Sequence, residues 1–169
     1  RSVIFVAKDS PYKSLTDLTG KRIAFGNANS TLSTQVPLYM LMQAGVSMEK
    51  LGAYKHLRNH SNVVLGVQFG DFDAGAVAEE VFRENTDKNI RPLAYSPDLS
   101  THVFATRATM DPGLQQKITS VLIGLKHDPQ GSAVLNSIGD TLTGFVPVSD
   151  RDYDLHREIL GQVLPILNP

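Results

Sequence analysis

The chain has no cysteine, which excludes disulfides, thiolate metal sites and cysteine nucleophiles, although that absence alone does not set the compartment. No apolar run approaches the roughly 20 residues that a membrane-spanning helix needs. Neither sign of charge is in excess. Sixteen Lys and Arg against seventeen Asp and Glu leave a net charge of -1 and a pI of about 6.6, so the chain carries no electrostatic footprint for nucleic acid or an anionic membrane. A site for an acidic ligand must therefore be local. Catalytic signatures are missing too: there is no G-x-S-x-G, no carboxylate pair at metal spacing, no G-x-G-x-x-G, and no serine with an identifiable base. These absences point away from an enzyme and away from a cofactor.

What is present is a core-forming composition: 169 residues, 41% hydrophobic and 20% charged, enough for one or two small domains. The chain opens on Arg1-Ser-Val-Ile-Phe-Val6, already inside a strand-like run, and reads as a mature or trimmed product with no signal peptide. Further strand-like runs are Lys21 to Phe25, Ala53 to Leu57, Phe72 to Val77, Ile90 to Tyr95 and His102 to Thr106. Helical patterns alternate with them. Ser14 to Leu18 is a capped single turn stopped by Gly20, Pro37 to Ala44 carries Leu38, Leu41 and Met42 at helical spacing, and Ser61 to Phe69 and Ala78 to Asn85 follow. This order predicts an α/β protein with a parallel sheet.

After Thr106 the pattern changes to helices alone. Asp111 to Leu125 starts with Pro at the first helical position and bears Leu114, Ile118, Val121, Leu122 and Leu125 on one stripe. Gln130 to Ile138 and Asp150 to Leu164 come next. None of the three has a strand of its own to cover.

Between the second strand and the Pro37 helix lies Gly26-Asn-Ala-Asn-Ser-Thr-Leu-Ser-Thr-Gln-Val-Pro37, rich in hydroxyls and amides and free of lysine. Proline lacks an N–H and clashes with the carbonyl four residues back, which sets the expected helix start near Ser33 or Thr34. Two readings fit. The residues are ordinary N-caps, or the free amides of Ser30 to Ser33, with hydroxyls of Ser30, Thr31, Ser33 and Thr34, hold a tetrahedral oxyanion through neutral hydrogen bonds at the positive end of the helix dipole. The stretch is not a nucleotide P-loop, because the second Gly and the Lys-Ser/Thr are absent.

His56 and His60 have a spacing that can serve a metal, but no third ligand stands near them. His60 instead sits at a strand end, on the edge of an open sheet where ligands bind. Ser30 to Ser33 occupy the same edge after the preceding strand, and Glu79 and Glu80 after the next. For one of these glutamates the expected role is no more than a solvated first-turn carboxylate. Asp73 is expected to serve the strand entry after Gly70.

The set "SLTDLTGKRIAFG", "NSTLSTQVP", His60 and "DAGAV", with "DPGLQQKITSVLIGL" further on, resembles the phosphate/phosphite/phosphonate solute-binding family of bacterial ABC transporters, over essentially the whole chain. The same module occurs as a sensor domain in some membrane receptors. The resemblance implies a type II periplasmic-binding-protein-like α/β fold of two lobes with crossover strands as a hinge and a ligand in the cleft. It implies that Ser30 and Thr31 with neighbouring amides grip phosphonate or phosphite oxygens, that His60 donates to the same group, and that Glu80 stands where members binding aminoalkylphosphonates place a carboxylate. An acidic residue often found beside the second hinge strand is His102 here, which speaks against an aminoalkyl ligand. Members often read Ser-Thr-Ser-Gly where this chain has Ser30-Thr31-Leu32-Ser33.

The implied function is capture of a small oxyanion for an ABC transporter permease, in the periplasm or outside the cell, with or without a membrane anchor. The alternatives are an extracytoplasmic sensor domain and an enzyme on the same fold. Expected boundaries are residues 1–20 for the first hinge strand and lobe entry, 21–100 for one complete α/β lobe, and 101–169 for the return strand and helices of a second, incomplete lobe. The uncovered stripes of the later helices lead to the expectation that a further N-terminal portion or a partner chain covers them.

Overall fold

The computed structural model describes residues 1–100, 102–139 and 142–167. They form two compact units, Arg1–Leu99 with Asp154–Pro169, and Ser100–Tyr153.

The first unit is built on five strands, β1 (Ser2–Ala7), β2 (Arg22–Phe25), β3 (Ala53–His56), β4 (Ala74–Ala78) and β5 (Ile90–Tyr95), in the order β3-β2-β4-β1-β5. Strand β2 runs parallel to β3 and β4, whereas β1 is antiparallel to both its neighbours β4 and β5. The sheet is thus mixed, not parallel throughout as the element order suggested. The reason lies in β1: Val3 to Val6 are all buried, so the strand reads as a continuous apolar run that carries no mark of its direction.

Alternation along the strands divides the core in two. Ile4, Val6, Ile23, Phe25, Ala74 and Ala76 face one layer, made of α1 (Val36–Gln43) and α6 (Asp154–Leu167). Val3, Phe5, Ala24 and Val77 face the other, made of α2 (His60–Gln68) and α3 (Glu79–Arg83). Gly75 is required where β4 meets the second layer, since a Cβ there would stand 2.8 Å from both Phe5 and Val63. Ile159 and Val163 of α6 are buried against Leu38 and Leu41, and Tyr39 donates to Glu158 at 3.3 Å. The C-terminal helix therefore closes the first unit, which differs from the expected assignment of residues 101–169 to one lobe.

The second unit contains α4 (Pro112–Gly124) and α5 (Gly131–Ile138). Asp111 caps α4, accepting from the Leu114 amide at 2.9 Å, and Pro112 stands in the first turn, where the sequence predicts it. No residue of α4 is buried, and Leu114, Ile118 and Val121 are exposed. The strand expected at His102 to Thr106 is not formed: these residues are exposed and without regular structure, and Phe104 meets Phe145 edge-on at 5.2 Å. A β-rich composition alone does not make a strand where no neighbouring strand offers a ladder. Thr101, which immediately precedes this expected strand, lies outside the described residues.

Candidate functional site

Because β2, β3, β4 and β5 point the same way, their C-terminal ends share one edge with the N-terminal end of β1. Each expected group of the first unit emerges there. After β2, Asn27 builds its own turn by accepting from the Asn29 amide at 2.9 Å, and Ser30 donates its amide to the Asn27 carbonyl at 2.8 Å. The helical run then begins at Thr31, earlier than the proline rule suggests.

Its first turn, Thr31–Gln35, is wide: Gln35 and Val36 donate to the carbonyls five residues back, on Ser30 and Thr31. This widening accommodates Pro37. The carbonyl that its ring would crowd, that of Ser33, turns outward and accepts from the Gly26 amide at 3.0 Å. The Leu32 carbonyl accepts instead from the Ser2 hydroxyl at 2.6 Å.

The hydroxyls sort into two roles. Ser30 is the cap, accepting from the Ser33 amide over a long 3.4 Å, and Thr34 is spent on the loop, donating to the Asn27 carbonyl at 2.9 Å. Thr31 is half-buried, and its amide and that of Leu32 open the run with no carbonyl behind them. Ser33 is fully buried, yet its Oγ has no hydrogen-bond partner among the described residues. It lies against Gly26, where an added Cβ would stand 2.0 Å from Ser33 Oγ and 3.8 Å from His60 Cδ2.

His60 opens α2 behind its cap Asn59, which accepts from the Asn62 amide at 2.9 Å. Its Nδ1 is a second buried polar atom without a partner. Partial burial pushes its pKa below the ordinary 6.5, while the nearby Glu80 carboxylate works in the opposite direction. His56 is engaged elsewhere, with its Nδ1 3.2 Å from the Gly26 carbonyl and its ring stacked on Phe25.

The two glutamates separate as their chemistry requires. Glu79 is clamped by Arg1 at 2.8 Å and Arg83 at 2.6 Å, and the Arg1 hydrogen bond is the main reason its pKa falls to about 2. Glu80 is exposed beside His60. Asp73 accepts from the Arg22 amide and guanidinium at strand entry, away from this edge. His102 belongs to the second unit and is exposed.

The edge thus gathers Ser30, Thr31, Ser33, His60 and Glu80, while Thr34 serves the loop beneath them. Sequence reading missed Gly26 and Ser2. A glycine closing a strand before a serine-rich helix start was the available signal for the first; a lone serine at a strand start gave none for the second.

The family model described as ABC transporter, phosphonate, periplasmic substrate-binding protein matches residues 1–153. The chain belongs to this family. Members of the phosphonate-binding family are substrate-binding proteins and not enzymes. A probable ABC transporter phosphite-binding protein, PhnD1 of Prochlorococcus marinus strain MIT 9301, is 32% identical over 97 residues, which cover 53% of this chain and 33% of that protein.

Among solved structures, PhnD1 from the same organism in complex with methylphosphonate superimposes with a TM-score of 0.78 at 23% identity, covering 96% of this chain and 66% of that one. XAC2383 from Xanthomonas citri, bound to chloride, gives 0.77 at 24%, covering 98% and 65%. The aliphatic sulphonate binding protein SsuA of Escherichia coli gives 0.68 at 21%, covering 98% and 60%. The shared fold is that of type II periplasmic binding proteins. The chain spans a third of the curated relative's length and between 60% and 66% of the length of these three structures.

Proposed function

We propose that the chain is the ligand-holding part of an ABC-transporter substrate-binding protein that captures a small tetrahedral oxyanion of the phosphonate, phosphite or phosphate type. The transporter permease is its partner, and the periplasm or the outer face of the membrane is its place of work. The observation that carries this reading is the pair of buried, unpartnered polar atoms, Ser33 Oγ and His60 Nδ1, on residues that flank Gly26 where a helix begins. Buried polar atoms are nearly always paired, and two orphans on side chains that both approach Gly26 at one sheet edge are accounted for by a ligand that reorganises their surroundings.

The chemistry selects the ligand class. The amides of Thr31 and Leu32 and the hydroxyls of Ser30 and Thr31 are donors at the positive helix end, and an oxyanion offers acceptors in several directions at once. His60, whose pKa burial lowers from the ordinary 6.5 while Glu80 opposes the shift, adds an N–H. Neutral donors bind such an anion without drawing it into a fixed ion pair, which suits a protein that must release its cargo.

Calorimetry of the full-length protein against phosphite, methylphosphonate, phosphate and sulfate tests the reading. Saturable binding of at least one phosphorus oxyanion is expected, with sulfate weaker. Failure to bind any of the four refutes it.

A further inference from the structure

Pro37 leaves a gap that the helix cannot fill from within. In the wide turn each amide serves the carbonyl five residues back: Gln35 serves Ser30 and Val36 serves Thr31. The next donor in that register would belong to residue 37, and proline has none. The carbonyl deprived of a partner is that of Leu32. Its donor comes from the start of β1, where the Ser2 hydroxyl meets it at 2.6 Å. Ser2 is fully buried and is itself held at both backbone groups, its amide donating to Ser96 Oγ at 2.9 Å and its carbonyl accepting from the Ser96 amide at 3.0 Å.

We propose that Ser2 is a positioning residue for the oxyanion site, acting through the Leu32–Ser33 peptide; the inference rests on the function proposed above. A peptide unit is planar and trans, so fixing its carbonyl fixes the direction of the N–H on its far side. That N–H is the Ser33 amide, held among the described residues by the long 3.4 Å contact to Ser30 Oγ alone and therefore easily given over to an anion. By anchoring the back of this peptide, Ser2 aims a donor at the site and holds the Ser33 side chain against Gly26. Ser2 itself touches no ligand. Its hydroxyl and the missing N–H of Pro37 are two halves of one device, joined across the unit by chemistry and not by sequence proximity.

The pairing makes the test specific. In the full-length protein, Ser2→Ala orphans the Leu32 carbonyl, and methylphosphonate and phosphite binding should weaken about tenfold, the scale of one misdirected hydrogen bond to a charged group. Pro37→Ala introduced into the same chain returns a donor in the five-residue register, and should recover a large part of the affinity. Ser2→Thr, which keeps the hydroxyl, should bind within about threefold of the wild type. A merely structural serine would lower the melting temperature and leave the dissociation constants alone. Wild-type affinity in Ser2→Ala, or a double variant no better than Ser2→Ala, overturns the inference while leaving the proposed function standing. A wild-type protein that binds neither anion removes both.

Discussion

Replacing Gly26 by alanine places a methyl group where the Ser33 side chain now lies. The added Cβ would stand 2.0 Å from Ser33 Oγ and 2.7 Å from Ser33 Cβ. The hydroxyl can leave by rotating to another staggered position. The Cβ cannot, because the Ser33 carbonyl accepts from the Gly26 amide at 3.0 Å and the preceding carbonyl is pinned by Ser2. Since carbon atoms rest about 3.5 to 4 Å apart, the helix start must move by roughly 1 Å.

The backbone of Gly26 is not in the left-handed region, so the cost comes from this contact alone. Overpacking of that kind costs about 1 to 3 kcal/mol, equivalent to roughly 2 to 12 °C in melting temperature for a protein of this size class. Affinity should fall further than stability, because the displaced atoms are those that face the ligand. Scanning calorimetry measures the first effect and titration calorimetry with methylphosphonate the second. A Gly26→Ala protein that melts and binds like the wild type would show that Ser33 and His60 do not form a constrained site around this residue.

Two further outcomes are expected. Thr31→Val removes one half-buried hydroxyl with little change of shape and should cost about 1 to 3 kcal/mol of binding, read by titration against the best of the four anions; equal affinity would reduce Thr31 to a helix-start residue. His60 titrates below 6.5 in the folded protein, so the unfolded chain takes up its proton first as pH falls through 6.5, and stability declines from there toward the folded pKa. A bound anion favours the imidazolium, so binding should tighten as pH falls toward the folded pKa, and His60→Gln should flatten both trends; parallel pH profiles together with wild-type affinity in His60→Gln would exclude His60 from the site.

Much of the first unit was legible because its signals are local. The strands Ser2–Ala7 and Ile90–Tyr95 appear as read, and Gly20, at positive φ, marks the stop where the pattern placed it. What could not be read is relational. The antiparallel course of β1 depends on its neighbours, and the failure of His102 to Thr106 to form a strand depends on their absence. The site followed the same division. Ser30, Thr31, Ser33, His60 and Glu80 were visible as strand-end residues, whereas the diversion of Thr34 to the Asn27 carbonyl and the service of Ser2 to Leu32 belong to a wide turn that residue pattern does not announce. Pro37 was a correct signal of an interrupted helix read with the wrong remedy: the chain widens the turn and keeps it, where the pattern suggested a later start.

The return of α6 to the first unit has a consequence in time. One face of the sheet is covered by α2 and α3, whose residues are made in sequence with the strands they cover, so that side can close early. The other face needs Ile159 and Val163, synthesised only after all of Ser100–Tyr153 has followed Leu99. Until then Leu38 and Leu41, just beyond the turn that carries the candidate site, lie under an unfinished roof. The site's supporting helix is thus among the last parts of the unit to be secured, and a chain cut before residue 159 would keep the strands but leave the platform for its ligand open to proteases.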